Sequence, residues 1–332
     1  MDAKSLQLAL FKQVKDRLPG HLSLAEELGN MLGVSTDSAY RRIRGEKLLD
    51  IGELEVVAMR FGLSVDAIMA NRAGGYVFSG RFIHEGEYSF EEWLSSLAQQ
   101  LEMTLQGKEP VFIFQAKDIP LFHHFQFPEL MHFKFSFWMR TVLHLAGSKN
   151  PSHERFDLDD RDEQLMALGR KVYLTYERLP STEIWNAECL VSTLRQINYY
   201  RETGAFVKED QAQRLFDMVL EMLDHLEHQA AAGVKFSLGE SPGSGSASYM
   251  VHVNEVLLGD NAIYAGNERL RIVYLNHTGI NYIGTTDEVF CEGTFNAFQN
   301  IIQRSTLISA TGEKERKRFF NYLRAEVERR RH

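Results

Sequence analysis

The chain has 332 residues, 44% hydrophobic and 25% charged, a balance that supports a buried core; at roughly 100–200 residues per domain it reads as two domains, or three. Seven prolines and 24 glycines exclude a collagen-like or broadly disordered chain, and two cysteines, Cys189 and Cys291, cannot build a disulfide framework. Ten basic and ten acidic residues in 1–72 cancel, so the net charge of −8 falls on the remainder. An acidic body does not attract nucleic acid over its whole surface, and any such contact must come from a local cluster such as Arg41, Arg42, Arg44 and Lys47.

The opening Met1-Asp2-Ala3-Lys4 lacks a basic region followed by an apolar core, which argues against a secretory leader. No uncharged apolar run approaches the roughly 18 residues of a membrane helix, so no membrane partner is expected, and the scarcity of cysteine fits a reducing cytoplasm, the expected location. Leu6, Leu10, Phe11, Val14 and Leu18 recur at helical spacing and predict a helix over 4–18, broken by Pro19-Gly20. Ser23 is placed to cap a second helix, with Glu26 completing a capping box and Gly33 ending it. Ser35 caps a third helix that runs to about Arg44 and stops at Gly45. Asp50-Ile51-Gly52-Glu53 opens a fourth, carrying Leu54, Val57, Ala58 and Phe61 and closed by Gly62. Ser64 caps a short fifth with Val65, Ile68 and Met69, and Ala73-Gly74-Gly75 marks a boundary.

Beyond the boundary the pattern is mixed. Strands are expected at 76–83 and 111–116 around a helix at 89–106, then an aromatic-rich helix at 129–146 and helices at 162–178, 181–203 and 208–231. The Ser/Gly-rich stretch 237–248 is a loop by composition, either a linker that splits the body or a surface excursion. Short strands at 249–256, 261–265, 270–275 and 280–284 precede helices at 287–305 and 313–330. The expected class is mainly α with a small mixed β portion (α+β). It comprises a five-helix domain at 1–72, a linker or first strand at 73–82 and a larger, mostly helical body at 83–332.

Residues 23–45 read Ser-Leu-Ala-Glu-Glu-Leu-Gly-Asn-Met-Leu-Gly-Val-Ser-Thr-Asp-Ser-Ala-Tyr-Arg-Arg-Ile-Arg-Gly. Leu28, Leu32 and Val34 supply an apolar seam, Gly29 lets the second helix cross closely, and Gly33 takes the turn. Ala39 and Ile43 are the inward positions of the second helix. This segment, with 51–69 including Phe61-Gly-Leu-Ser-Val-Asp-Ala-Ile68, resembles the helix-turn-helix of the Cro and lambda-repressor type, the XRE family. The resemblance covers about 60 residues. Arg42 stands where that family often has an apolar residue.

The resemblance implies a second helix lying in the major groove of double-stranded DNA. By position, Thr36, Asp37, Tyr40 and Arg41 would face base edges, with Arg41 donating to guanine and Asp37 either accepting from cytosine N4 or repelling the wrong approach. Ser23, Ser35, Arg42, Arg44 and Lys47 would meet phosphates. Such proteins commonly bind paired half-sites as dimers, which implies a homodimer.

Other residues carry weaker signals. His123, His124, Glu129 and His132 lack a known ligand spacing, so no metal is expected, and no cofactor. Phe125, Phe127, Phe133, Phe137 and Trp138 read as simple core or as the lining of a ligand pocket or dimer surface. Cys189 and Cys291 sit among apolar neighbours as buried structural cysteines. There is no GxSxG, P-loop or GxGxxG signature, and the basic segment 312–331 alternates its cations with glutamates as a solvated helix does.

The leading functional reading is a bacterial transcription regulator, not an enzyme, whose large body dimerises and senses an effector ligand or protein. The alternative is an enzyme tethered to a DNA-binding module, with Asp118, His123, His252, Asn254 and His277 as polar candidates near expected strands. A third is an interaction adaptor that no longer reads DNA.

Overall fold

A computed structural model describes residues 2–18, 22–61, 63, 65, 69, 75–83, 88–143, 155–256 and 259–331. The chain divides into two compact units, Met1–Phe78 and Ser79–His332. Of the two readings of 237–248, the linker that splits the body is not found: strands on both sides of that loop belong to one sheet. Among the described residues no helix is long and apolar enough to cross a membrane.

The first unit is helical: α1 (Ala3–Arg17), α2 (Leu24–Leu32), α3 (Thr36–Ile43) and α4 (Ile51–Phe61). Its core gathers Leu10, Phe11 and Val14 from α1, Ala25 and Leu28 from α2, Ala39 from α3 and Val57 from α4. The expected fifth helix lies largely outside the described residues, as do the Pro19-Gly20 break and Ala73-Gly74.

In the second unit, α5 (Phe90–Leu105) starts with a capping box between Ser89 and Glu92. Then come β1 (Val111–Gln115), α6 (Leu121–His124), α7 (Pro128–Phe137), a π turn (Trp138–Val142) and α8 (Glu163–Glu177). β2 (Ser181–Trp185), α9 (Val191–Glu202), α10 (Gln211–Ala232), β3 (Tyr249–Val253), β4 (Ala262–Gly266), β5 (Arg271–Thr278) and β6 (Asn281–Thr285) follow, and α11 (Glu288–Gln303), β7 (Thr306–Leu307) and α12 (Glu313–Arg331) end the chain.

The sheet is larger than the expected small β portion: seven strands in the order β6-β5-β4-β1-β2-β3-β7. β1, β2 and β3 are parallel and joined by helical crossovers, as parallel neighbours must be. β4 pairs antiparallel with β1, matching Val111 with Gly266 across the sequence. Strand alternation sends Phe112, Phe114, Trp185, Tyr249 and Val251 into the main core, with α5 to α10 and α12. Ile113, Ile184, Tyr264 and Val273 point to the opposite face, where α11 supplies Cys291 and Phe298. Two expectations fail. Residues 76–83 form no strand, only a bridge from Ser79 to Gly284 at the sheet edge. The start of the expected helix 181–203 is β2, because Leu179-Pro180 breaks the preceding helix and the next five residues alternate between the faces.

Candidate nucleic-acid interface

Gly33 ends α2 in the left-handed region at φ 64, and its amide bonds back to Gly29 O. A side chain at Gly29 would put its Cβ 3.0 Å from Val34 O, so the helix and the turn meet where only glycine fits without displacement. Ser35 caps α3, its side chain accepting from Ser38 N at 3.3 Å. Ser23 occupies the N-cap position of α2 but forms no side-chain capping bond, so the expected capping box is absent there. The box occurs instead at α4: Glu53 N donates to Asp50 Oδ1 at 2.8 Å and Asp50 N to Glu53 Oε2 at 3.3 Å.

With Ala39 fully buried, the outward row of α3 is fixed by helical spacing. Thr36, Asp37, Tyr40 and Arg41 are all exposed, as are Ser35, Arg44 and Lys47, and Ser23 is half-buried. Arg44 pairs with Glu46 through Nε at 2.8 Å, a contact between two exposed side chains that adds little stability.

Arg42 departs from its expected phosphate role. It is 2% exposed, its Nε donates to Glu53 Oε2 at 3.1 Å, Nη2 binds Glu53 Oε1, and Nη1 donates to Ser38 Oγ at 2.6 Å. The bond to Glu53 holds the guanidinium above its usual pKa, and the same bond holds the Glu53 carboxyl below its own. Arg42 lies three residues after Ala39 and fills the inward position that Ile43 was expected to take; Ile43 is half-buried. The guanidinium is thus bonded inside the unit, to Glu53 and Ser38, and not presented to solvent.

The five aromatics proposed as a pocket lining are core. Phe125, Phe127, Phe133, Phe137 and Trp138 are each under a tenth exposed. Rings pack on rings there: Phe125 against Phe135 at 5.0 Å and Phe133 against Tyr200 at 5.5 Å. Surface clefts lie elsewhere. One, of about 300 Å³, is lined by Glu177, Arg178, Lys235 and the 240–247 loop; another, of about 370 Å³, by Val253 to Val256, Arg304 and Thr306.

Sequence patterning did not single out Glu183, wholly buried on β2. His123 Nε2 donates to its two oxygens at 2.9 and 3.1 Å, Trp185 Nε1 donates at 2.8 Å and Tyr249 OH at 3.2 Å. The Tyr176 hydroxyl completes the set. Burial pushes the carboxyl up, but His123, the Tyr176 hydroxyl and Lys235 outweigh it and hold Glu183 below the usual value. Burial raises Tyr176 and Tyr249 well above an ordinary tyrosine. The cluster is saturated and sealed, suited to holding strands and not to meeting a substrate.

The remaining enzymatic candidates lie apart. His123 belongs to that cluster, His252 points to the opposite face of the sheet, Asn254 donates to Ser305 Oγ at 3.0 Å, and His277 packs edge-on against Phe82 at 5.0 Å. Asp118 follows β1, its carboxyl raised by burial. Cys189 and Cys291 are buried free thiols, both raised by burial. Among the described residues no group of three His, Cys, Asp or Glu side chains is placed to hold a metal.

Two buried lysines give the second unit a pH signature. Burial lowers Lys235 to about 7 and Lys134 to about 8. Lys235 Nζ donates at 2.7 Å to Tyr176 O in the last turn of α8, a carbonyl that also accepts from Leu179 N at 3.0 Å. An unfolded lysine titrates near 10.5, so between pH 7 and 9 the unfolded chain holds protons that the folded unit has released. Stability therefore rises with pH through this window. The denaturant midpoint of the second unit should climb from pH 7 to 9, and Lys235→Met should flatten the climb; a level wild-type profile would contradict the burial of these amines.

Comparisons of the chain with protein-family models, curated proteins and solved structures give no match.

Proposed function

We propose that the chain is a sequence-specific DNA-binding transcription regulator, with α3 entering the major groove. One observation carries this reading: Thr36, Asp37, Tyr40 and Arg41 form an exposed row on a helix whose other side is locked into the first unit by Ala39 and the Arg42–Glu53 pair. The tight α2–α3 turn at Gly29 and Gly33 supports it. In this reading Arg41 donates to guanine, Thr36, Asp37 and Tyr40 complete the base-facing row, and Ser23, Ser35, Arg44 and Lys47 hold phosphates. Arg42 supports the helix from beneath. Two copies would read paired half-sites, and the second unit would carry the dimer contact and the response to an effector. An enzymatic reading has less support, since His123 lies in the main core and His252 on the opposite face of the sheet, while Asn254 follows β3 and His277 belongs to β5, strands four places apart in the strand order.

The test is binding of the full chain to genomic fragments, followed by mapping of the selected site. Arg41→Ala should lose about 1–3 kcal/mol at one base position and relax selectivity there. Arg44→Ala and Lys47→Ala should weaken all duplexes alike and each lower the salt slope by about 1. Unchanged site preference after Arg41→Ala would overturn the base-reading role. Failure of the wild-type chain to retain any duplex at low salt would overturn the function.

A further inference from the structure

A glutamine on the apolar stripe of α1 has no place in a core unless its amide is satisfied. Gln7 shares that stripe with Leu10 and Val14 and is 6% exposed. Its Nε2 donates to Arg42 O at 2.6 Å and to Lys47 O at 2.8 Å, while Oε1 accepts from Leu49 N at 2.7 Å. One side chain thus ties α1 to the end of α3 and to both sides of the loop that follows. The loop is also wound onto α3: Gly45 N donates to Arg42 O at 2.9 Å and Glu46 N to Arg41 O at 2.8 Å, the Schellman pattern. Gly45 sits at φ 69, and a Cβ there would lie 2.8 Å from Lys4 Cγ. Lys4 and Gln7, one turn apart on α1, therefore both close on the 44–49 segment.

We propose that Gln7 is a positioning residue for DNA binding, fixing the α3–α4 loop so that Arg44 and Lys47 are presented to the phosphate backbone in one arrangement. This rests on the DNA-binding reading above. Gln7 is buried and acts only through the loop. Without its bonds Lys47 O and Leu49 N would seek water while Arg42 O keeps only Gly45 N, the loop would sample other conformations, and binding would bear the cost of ordering both cations.

The experiment measures affinity of the full chain for a 30-base-pair duplex carrying a selected site and for an unrelated duplex, as a function of salt. Gln7→Met, similar in volume without the amide, is expected to weaken both duplexes about five- to tenfold and to lower the salt slope by about 1–2, leaving their ratio unchanged. In an Arg44→Ala/Lys47→Ala background, Gln7→Met should cost almost nothing more, because the groups it positions are gone. Full additivity there, or wild-type affinity and slope in the single variant, overturns the proposal. Should Gln7→Met unfold the first unit, hydrogen exchange of the wild-type Leu49 amide decides: protection is expected, and exchange as fast as an open loop overturns it. A wild-type chain that ignores both duplexes removes the DNA-binding reading and this inference together, whereas wild-type binding with an unaffected variant removes this inference alone.

Discussion

Glu183→Ala is expected to destabilise the second unit by about 3–5 kcal/mol, the range for removing one partner of a buried, hydrogen-bonded charge cluster. The carboxylate lies in the central parallel ladder, where register sets it beside Phe114 of β1 and Val251 of β3. Four side chains from α6, α8, β2 and β3 converge on it: His123, Tyr176, Trp185 and Tyr249. Truncation takes the acceptor from His123 and the Trp185 indole in a dry core, each at a cost of about 1–3 kcal/mol before relaxation, and leaves the two tyrosine hydroxyls only the longer contacts Tyr176 to Ser181 Oγ and Tyr249 to His123 Nε2, both at 3.3 Å. Glu183→Gln should also be strongly destabilising, because its amide would turn a donor toward other donors. The measurement is chemical denaturation followed through the tryptophans, Trp93, Trp138 and Trp185, all of which lie in the second unit. A loss below about 1 kcal/mol would show that the cluster contributes almost nothing to stability.

Arg42→Ala is expected to cost the first unit about 2–3 kcal/mol, at the upper end for hydrogen bonds to charged groups. Glu53 retains 18% exposure, so the abandoned carboxylate reaches water and the penalty stays below that of a fully enclosed pair. Coupling provides the check. In Glu53→Gln the arginine has already lost its charged partner, so Arg42→Met should cost less there than in the wild type. Arg42→Met should also keep the wild-type salt slope of DNA binding at temperatures where the unit is folded. A slope lower by about 1 would return Arg42 to the phosphate-contacting set.

Amphipathic periodicity located most helices well, because a helix presents its apolar residues at fixed intervals regardless of what covers them. The 89–106, 162–178, 208–231, 287–305 and 313–330 segments fall within a few residues of α5, α8, α10, α11 and α12. Arg42 misled because a cation inside a run of cations reads as surface. Its spacing from Ala39 pointed inward, and the compensating charge, Glu53, lies on the next helix. Gln7 and Glu183 were invisible for a related reason: a polar residue at a core position is intelligible only once its distant partners are known. β2 was absorbed into a neighbouring helix because five residues buried on both faces carry little alternation of polarity. The aromatics at 125–138 were legible as apolar, but whether such residues enclose a space or fill it depends on packing that no local pattern records.

The pairing of Val111 with Gly266 has a consequence for biosynthesis. β1 leaves the ribosome long before β4, and its neighbour on that side stays missing while roughly 150 further residues are made, about ten seconds or more at ordinary elongation rates. The described helices of the first unit pack on partners of that same unit, Met1–Phe78. A growing chain can thus carry a finished amino-terminal module ahead of a body with an open sheet edge, the kind of edge on which nascent chains associate. Chaperone demand should concentrate on this interval of synthesis.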